Sequence, residues 1–232
     1  MAKITIIIPT LNEEENIDFL LERIFKVKDS SGLDFDVLFV DSASIDGTSD
    51  CIKKWQGQRP VKLLQREVNV GLAPAVIAGA HFVDSEYVLV MDADLSHPPE
   101  KIPELLAPLL SEEYDMVIGS RYVDGGATPD WPFSRKLSSK LATLPALCFC
   151  SAKDPLAGFF ALKRRLITDL SLHVPGFKIG FAILAEYNKK IRIKEIPIQF
   201  RDRDFGQSKM GKGVIYDYLR QLAGLMRTRM GF

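Results

Sequence analysis

Two rhythms alternate along the chain. Apolar, β-branched runs ("KITIIIP", "DVLFVD", "VKLLQR", "YVLVMD", "DMVIGS") are separated by stretches whose apolar residues recur every three or four positions. This alternation predicts an α/β fold: a mostly parallel sheet flanked by helices. Between the first two runs Ile17, Leu20, Leu21, Ile24 and Phe25 share one helical face, and Asn12 with Glu15 resembles a capping pair at its start. Further helices are predicted over about 48–56, 73–83 and 99–110, the last opened by Pro98 and Pro99. After "GSRYVDGG" the pattern changes. Gly125, Gly126 and Pro129 predict a loop, and "WPFSRKLSSKLATLPALCFC" predicts a helix broken near Pro145. A strand at "GFFALK", a helix near 178–190, a strand at "RIKEIPIQF" and a Gly-containing polar loop follow. The last helix would carry Ile215, Tyr218, Leu219, Leu222, Leu225 and Met226 on one side. No internal repeat or linker divides the chain, so residues 1–232 read as a single domain.

Composition narrows the function classes. The chain has 30 basic and 30 acidic residues, so nothing global suggests a nucleic-acid binder, and any basic site must be local. Cys51, Cys148 and Cys150 have no metal-ligand spacing and read as reduced core thiols of a cytosolic protein. "MAKITIIIPT" reads as a first strand rather than a signal peptide. The longest uncharged stretch, residues 141–152, falls short of the roughly 20 residues a spanning helix needs, so no segment is expected to cross a membrane.

In open parallel sheets ligands bind beyond the carboxyl ends of the strands. Here those ends are polar: "PTLNE", "VDSASIDGT" and "MDADLS" would align Glu13, Asp41, Asp92 and Asp94 along one edge. Asp92 and Asp94, two apart after a strand, can present oxygen ligands to a hard divalent cation that also grips a diphosphate. Alone, such a pair serves turn and cap chemistry as readily. In company with "IIIPTLNEEENI", "VDSASIDGT", "REVNVGLAPAVIAGA", "VLVMDADLSHPPE" and "VIGSRYV" it resembles the nucleotide-sugar domain of glycosyltransferase family 2, the Rossmann-like GT-A fold.

In the second half "WPFSRKLSSKL", "DPLAGFFALKR" and "IPIQFRDRDFGQSKM" are similar to polyprenol-phosphate mannosyltransferases, the dolichol-phosphate mannose synthases. The resemblance implies inverting transfer of mannose from GDP-mannose to a polyprenyl monophosphate with Mg2+ or Mn2+. It implies a nucleotide-sugar half over 1–123 and an acceptor half over 124–232. By resemblance Pro9, Glu13, Asp41 and Ser42 hold the nucleoside, and Asp92, Asp94 and Ser96 the metal and diphosphate. Arg121, Arg135, Ser139, Arg203 and Lys209 receive the acceptor phosphate or the leaving diphosphate, with Asp94, Arg121 and Arg203 central to catalysis. Ser42, Ser96 and Ala157 depart from the family pattern, which commonly has an acidic or amide residue, Gln and serine there. Transfer of glucose from UDP-glucose and a non-catalytic regulatory subunit are the alternatives. An acidic "PTLNEEEN" in place of a Gly-rich, Arg-containing loop disfavours a nucleotidyltransferase.

A polyprenyl acceptor lives in a membrane, so the protein would lie on its cytoplasmic surface or borrow an anchor from small membrane subunits. The segment 131–150 is the candidate contact, with Trp131, Phe133, Leu137, Leu141 and Leu144 flanked by Arg135, Lys136 and Lys140. A buried helix that closes the active site is the alternative. The C-terminal helix, with Arg220, Arg227 and Arg229, is a second candidate, better read as packed on the core. His97, ahead of two prolines, reads as a loop residue outside the metal shell, and His81 and His173 have no context.

Overall fold

A computed structural model describes residues 3–171, 178–202 and 212–230. Arg203, Gly206, Ser208, Lys209 and His173 therefore lie outside the described residues, as do the side chains of Ile215, Met226, Arg227 and Arg229.

The chain forms β1 (Ile4–Thr10), α1 (Glu14–Ser31), β2 (Phe35–Ser42), α2 (Thr48–Gln56), β3 (Val61–Arg66) and α3 (Leu72–Phe82). It continues through β4 (Tyr87–Val90), a 3-10 turn over Pro99–Lys101, α4 (Ile102–Leu110) and β5 (Met116–Ser120). The second half adds α5 (Phe133–Leu147), β6 (Phe160–Lys163), a one-turn α6 (Arg165–Thr168), α7 (Ile179–Tyr187), β7 (Ile193–Pro197) and α8 (Lys212–Met230). These strands make one seven-stranded sheet in the order β3-β2-β1-β4-β6-β5-β7. Neighbours are parallel except at β6, which runs antiparallel to both β4 and β5. The order reverses at β1, which pairs β2 on one side and β4 on the other, opening a crevice beyond their carboxyl ends.

Both faces of the sheet are covered, which is why its inner strands are buried almost throughout, while the edge strands β3 and β7 keep exposed Lys62, Gln65 and Lys194. Ile4, Ile6 and Ile8 of β1 pack with Ile17, Leu20 and Ile24 of α1 and with Leu105 and Leu109 of α4. Ile7, Leu38 and Val40 pack on the other side with Val76 of α3 and Ile183 of α7. Gly79 of α3 has no room for a side chain, since a Cβ would stand 2.9 Å from Ile7 Cγ2 and from Val40 Cγ2. A third cluster joins Ala146 and Phe149 at the end of α5 to Phe181, Leu222 and Leu225, docking α8 on the domain.

Four local expectations need correction. Glu13, not Asn12, occupies the N-cap position of α1; Asn12 has φ 50° and accepts a hydrogen bond from Ile45 N–H at 2.9 Å. Its amide thus ties two loops together. The helix over 131–150 is not broken at Pro145: α5 runs on to Leu147, because in the last turn proline's missing N–H forfeits one bond and its ring stands on a half-buried surface. Cys148 is exposed rather than a core thiol, while Cys150 is buried and Cys51 half-buried, and none of the three is in a disulfide. In α8 Leu219 is exposed, and Leu222 and Leu225 make the contact with the core.

Candidate active site

The edge at the carboxyl ends of β1 and β2 is built by two stitched loops. Asn12 N–H donates to Ser44 Oγ (2.8 Å), Glu13 N–H to Thr48 Oγ1 (2.9 Å) and Gly47 N–H to Glu14 Oε2 (3.0 Å), fixing the β1–α1 loop against the β2–α2 loop. Asp41 lies at the floor, 2% exposed, accepting from Ser44 N–H at 3.2 Å, from the Ser44 hydroxyl and from Ser49 Oγ at 3.2 Å. Gln65 at the end of β3 donates to Ser49 Oγ at 3.0 Å, so three strand ends share one network. Pro9 and Glu13 are half-buried along this edge, Glu13 Oε2 accepts from Asn16 Nδ2 at 2.8 Å, and Ser42 is buried.

Beyond β4 the two carboxylates differ. Asp94 is buried, and Ser96 grips its Oδ1 through both its N–H (3.2 Å) and its Oγ (2.6 Å). The Ser96 hydroxyl is thus an orienting partner of Asp94. Asp92 keeps a third of its side chain exposed, and its N–H donates to His97 Nδ1 at 2.9 Å. Among the described residues no three His, Cys, Asp or Glu side chains converge as a metal centre. Two carboxylates still suit a hard cation, with the remaining oxygens supplied by a diphosphate.

His97 is no ordinary loop residue. It is buried, stacks on Phe159 with ring centres 5.0 Å apart and meets Phe200 edge-on. Burial, together with the nearby positive charges of Arg121 and Lys178, pushes its pKa down to about 4 against the pull of Asp94, so it is neutral near pH 7. With Nδ1 accepting, the proton sits on Nε2, 3.9 Å from Asp92 Oδ2. Gly158 lets the "DPLAGF" loop lie against this pair: a Cβ there would stand 3.3 Å from His97 Cε1 and 3.5 Å from Asp92 Oδ2.

That same loop carries the partner of Arg121. Asp154, fully buried, accepts from Arg121 N–H (2.9 Å), Nε (2.8 Å) and Nη2 (2.7 Å). Burial opposes the guanidinium's charge, but Asp154 more than offsets it and holds the arginine's pKa above its ordinary value. Glu195 of β7 fixes the loop by accepting from the N–H groups of Lys153 (2.7 Å) and Asp154 (2.9 Å). Lys178, half-buried, donates to Leu156 O at 3.0 Å; desolvation, then the charge of Arg121, pushes its pKa down to about 8 despite Asp92 and Asp154. Asp92, His97, Asp154, Arg121 and Lys178 therefore form one electrostatically connected floor.

The expected acceptor residues gather on the other side. Tyr122 OH and Ser139 Oγ share a hydrogen bond of 2.7 Å, linking the end of β5 to α5. Arg135 pairs with Asp202 and lies over the Trp131 ring, 4.2 Å from its centre. Arg121 faces the same ring from 5.6 Å. Trp131 itself is 7% exposed and does not belong to the exposed apolar stripe expected of it. It precedes the N-cap Pro132, so helical periodicity does not extend to it. The stripe itself is real: Phe133, Leu137, Leu141, Leu144 and Leu147 are all exposed. Among the described residues no helix is long and apolar enough to cross a membrane.

Asp154, Lys178 and Glu195 were not legible in the sequence as site residues, and the burial of the loop residue His97 was not either. Asp154 stood inside a quoted motif, and that was its only signal; Lys178 and Glu195 look like ordinary surface charges in the sequence.

Comparison with known proteins fits this geometry. Residues 5–171 match the glycosyl transferase family 2 model. A dolichol-phosphate mannosyltransferase of Pyrococcus furiosus is 39% identical over 231 residues, covering 97% of this chain and 64% of the relative, so the chain spans under two thirds of that protein's length. The Saccharomyces cerevisiae protein of the same name is 32% identical, with 98% of this chain and 88% of the relative covered. For that of Mycosarcoma maydis the figures are 33%, 98% and 80%. Among solved structures, glucosyl-3-phosphoglycerate synthase from Mycobacterium tuberculosis, in complex with Mn2+, UDP and glucosyl-3-phosphoglycerate, superposes with a TM-score of 0.71 at 22% identity, over 99% of this chain and 80% of its own. At that identity the likeness establishes the GT-A architecture and nothing finer. On the family model, which matches most of the chain, and on these relatives at 32% to 39% identity, the chain belongs to glycosyl transferase family 2 and is similar to the dolichol-phosphate mannosyltransferases.

Proposed function

We propose that the protein transfers mannose from GDP-mannose to a polyprenyl monophosphate, with inversion at the sugar carbon and with Mg2+ or Mn2+ bound by Asp92 and Asp94. One observation carries this reading: a strand-end carboxylate pair faces an arginine and aromatic cluster across a single polar floor, beside a helix whose outer face is exposed and apolar.

The donor edge, Pro9, Glu13, Asp41 and Ser42, receives the nucleoside. Asp94 is oriented by Ser96, and Asp92 stands free enough of burial to reach a cation. When bound, the cation supplies electrophilic stabilisation to the departing diphosphate. The acceptor phosphate is already anionic near neutral pH and needs no general base. Its oxygen attacks C1 as the C1–O bond to GDP breaks on the opposite face, so no sugar is attached to the enzyme. Arg121 and Arg135 hold the nucleophile; Asp154 fixes one guanidinium and the Trp131 ring packs against both. Arg203 and Lys209 are proposed to complete this cationic side.

The exposed stripe of α5, flanked by Arg135, Lys136 and Lys140, supports docking on the cytoplasmic membrane surface, with the headgroup phosphate of the acceptor delivered beside it. Small membrane subunits would be additional anchors.

The test is transfer of label from GDP-mannose to a short polyprenyl phosphate, with Mn2+ or EDTA, and with UDP-glucose in parallel. Metal-dependent mannosyl lipid is expected. Label from UDP-glucose alone would overturn the donor assignment, and no turnover from either would revive the regulatory-subunit reading.

A further inference from the structure

We propose that Trp131 is a ligand of the acceptor phosphate: its indole N–H donates to a phosphate oxygen, while its ring holds Arg121 and Arg135 in place around that oxygen. This rests on the acceptor reading above and adds to it a neutral donor outside the arginine set.

The first observation is an unpaired group. Trp131 is 7% exposed, its Nε1 is shielded from solvent, and among the described residues that nitrogen has no hydrogen-bond partner. A buried tryptophan ordinarily finds a partner for this N–H, and leaving one unmade costs stability. Phenylalanine would fill the same space without that cost. The position therefore holds a donor whose acceptor is not among the described residues.

The second observation is the neighbourhood. Arg135 lies 4.2 Å and Arg121 5.6 Å from the ring centre, and Phe200 packs edge-on at 5.4 Å. Arg121 is also 5.2 Å from the Tyr122 ring and 5.7 Å from that of Phe200, a partly closed aromatic box around one guanidinium. Two cations sharing one indole repel each other unless anions intervene. Asp154 and Asp202 now supply them, one to each arginine. Arg121 Nη1 makes no hydrogen bond among the described residues, because Nε and Nη2 are spent on Asp154. An anion that met this free nitrogen, Arg135 and the indole N–H together would satisfy all three. A phosphate monoester, carrying up to two charges and three acceptor oxygens, has the required chemistry. The leaving diphosphate of the donor is the other source of such oxygens, and the experiment separates the two.

The sequence contains two tryptophans, so Trp55→Phe makes Trp131 the sole indole of the full chain. Its emission is followed while citronellyl phosphate, inorganic phosphate or GDP with Mn2+ is added. A saturable change with citronellyl phosphate, and none with GDP and Mn2+, is expected. In parallel, Trp131→Phe keeps the ring and removes the N–H. It should raise the acceptor KM about tenfold, the loss expected for a hydrogen bond to a charged group, with the donor KM unchanged and Tm equal or higher. Trp131→Ala should lose more, since the arginines lose their platform. Wild-type acceptor KM in a folded Trp131→Phe variant would overturn the inference while leaving the acceptor reading intact. An emission change only with GDP and Mn2+ would assign the N–H to the leaving group and overturn it as well. Failure of the wild-type protein to bind citronellyl phosphate at all would overturn the acceptor reading itself, and this inference with it.

Discussion

The buried pair Arg121–Asp154 yields a prediction whose magnitude follows from its geometry. Asp154 is fully buried and the Arg121 side chain is 11% exposed. The carboxylate takes three hydrogen bonds from that one residue at 2.7–2.9 Å. Asp154→Ala removes all three acceptors and leaves a guanidinium without its counter-charge in a site water barely reaches. Breaking a buried pair from one side costs about 3–5 kcal/mol, which in a domain of this size lowers Tm by roughly 10 °C. Asp154→Asn retains the shape and one acceptor oxygen, and should cost about half as much. Replacing both partners with apolar residues, Arg121→Met with Asp154→Leu, should recover most of the stability and abolish transfer, because no stranded charge remains. Urea denaturation followed by circular dichroism measures all three, with the m-value checking that the denatured state is unchanged. If Asp154→Ala unfolds within about 1 kcal/mol of wild type, the pair is not desolvated as described and the argument for a rigid Arg121 fails.

Lys178, whose pKa burial holds down to about 8 against an ordinary 10.5, predicts a pH signature. Between those values the unfolded chain binds more protons than the folded one, so unfolding free energy should rise with pH across the window, by about 3 kcal/mol, and Lys178→Met should remove that rise. A flat stability profile across that window in wild type would refute the lowered pKa. Gly126→Ala would push a Cβ to 2.7 Å from Ser120 O and 2.8 Å from Arg121 O, displacing the very backbone that carries Arg121. A loss of about 1–3 kcal/mol and a raised acceptor KM are expected from thermal unfolding and kinetics. Serine at Leu137, Leu141 and Leu144 together should leave Tm nearly unchanged, since all three are exposed, while reducing co-sedimentation with anionic liposomes; unfolding instead would show the face to be core.

The residues themselves determined the first half of the molecule. Strands buried on both faces must be apolar throughout, so β1 to β5 and the helices between them could be read from periodicity. Their polar carboxyl ends then had to lie on one edge, which brought Glu13, Asp41, Asp92 and Asp94 into view before any coordinates did. The apolar stripe of α5 could be listed as a helical face but not assigned to solvent or core, whereas α8 was legible as core-packed, a contact that Leu222 and Leu225 make. What only the tertiary structure decided is which distant residues meet. Inserting β6 antiparallel between β4 and β5 carries the "DPLAGF" loop behind Asp92, and with it Asp154 to Arg121, 33 residues away in sequence. Burial is likewise collective: His97 is neutral and Trp131 enclosed because Phe159, Phe200 and two arginines arrive from separate elements. Periodicity reports the face a residue occupies within its own element. A pKa or an unpaired N–H depends on everything packed against it, and no local pattern records that.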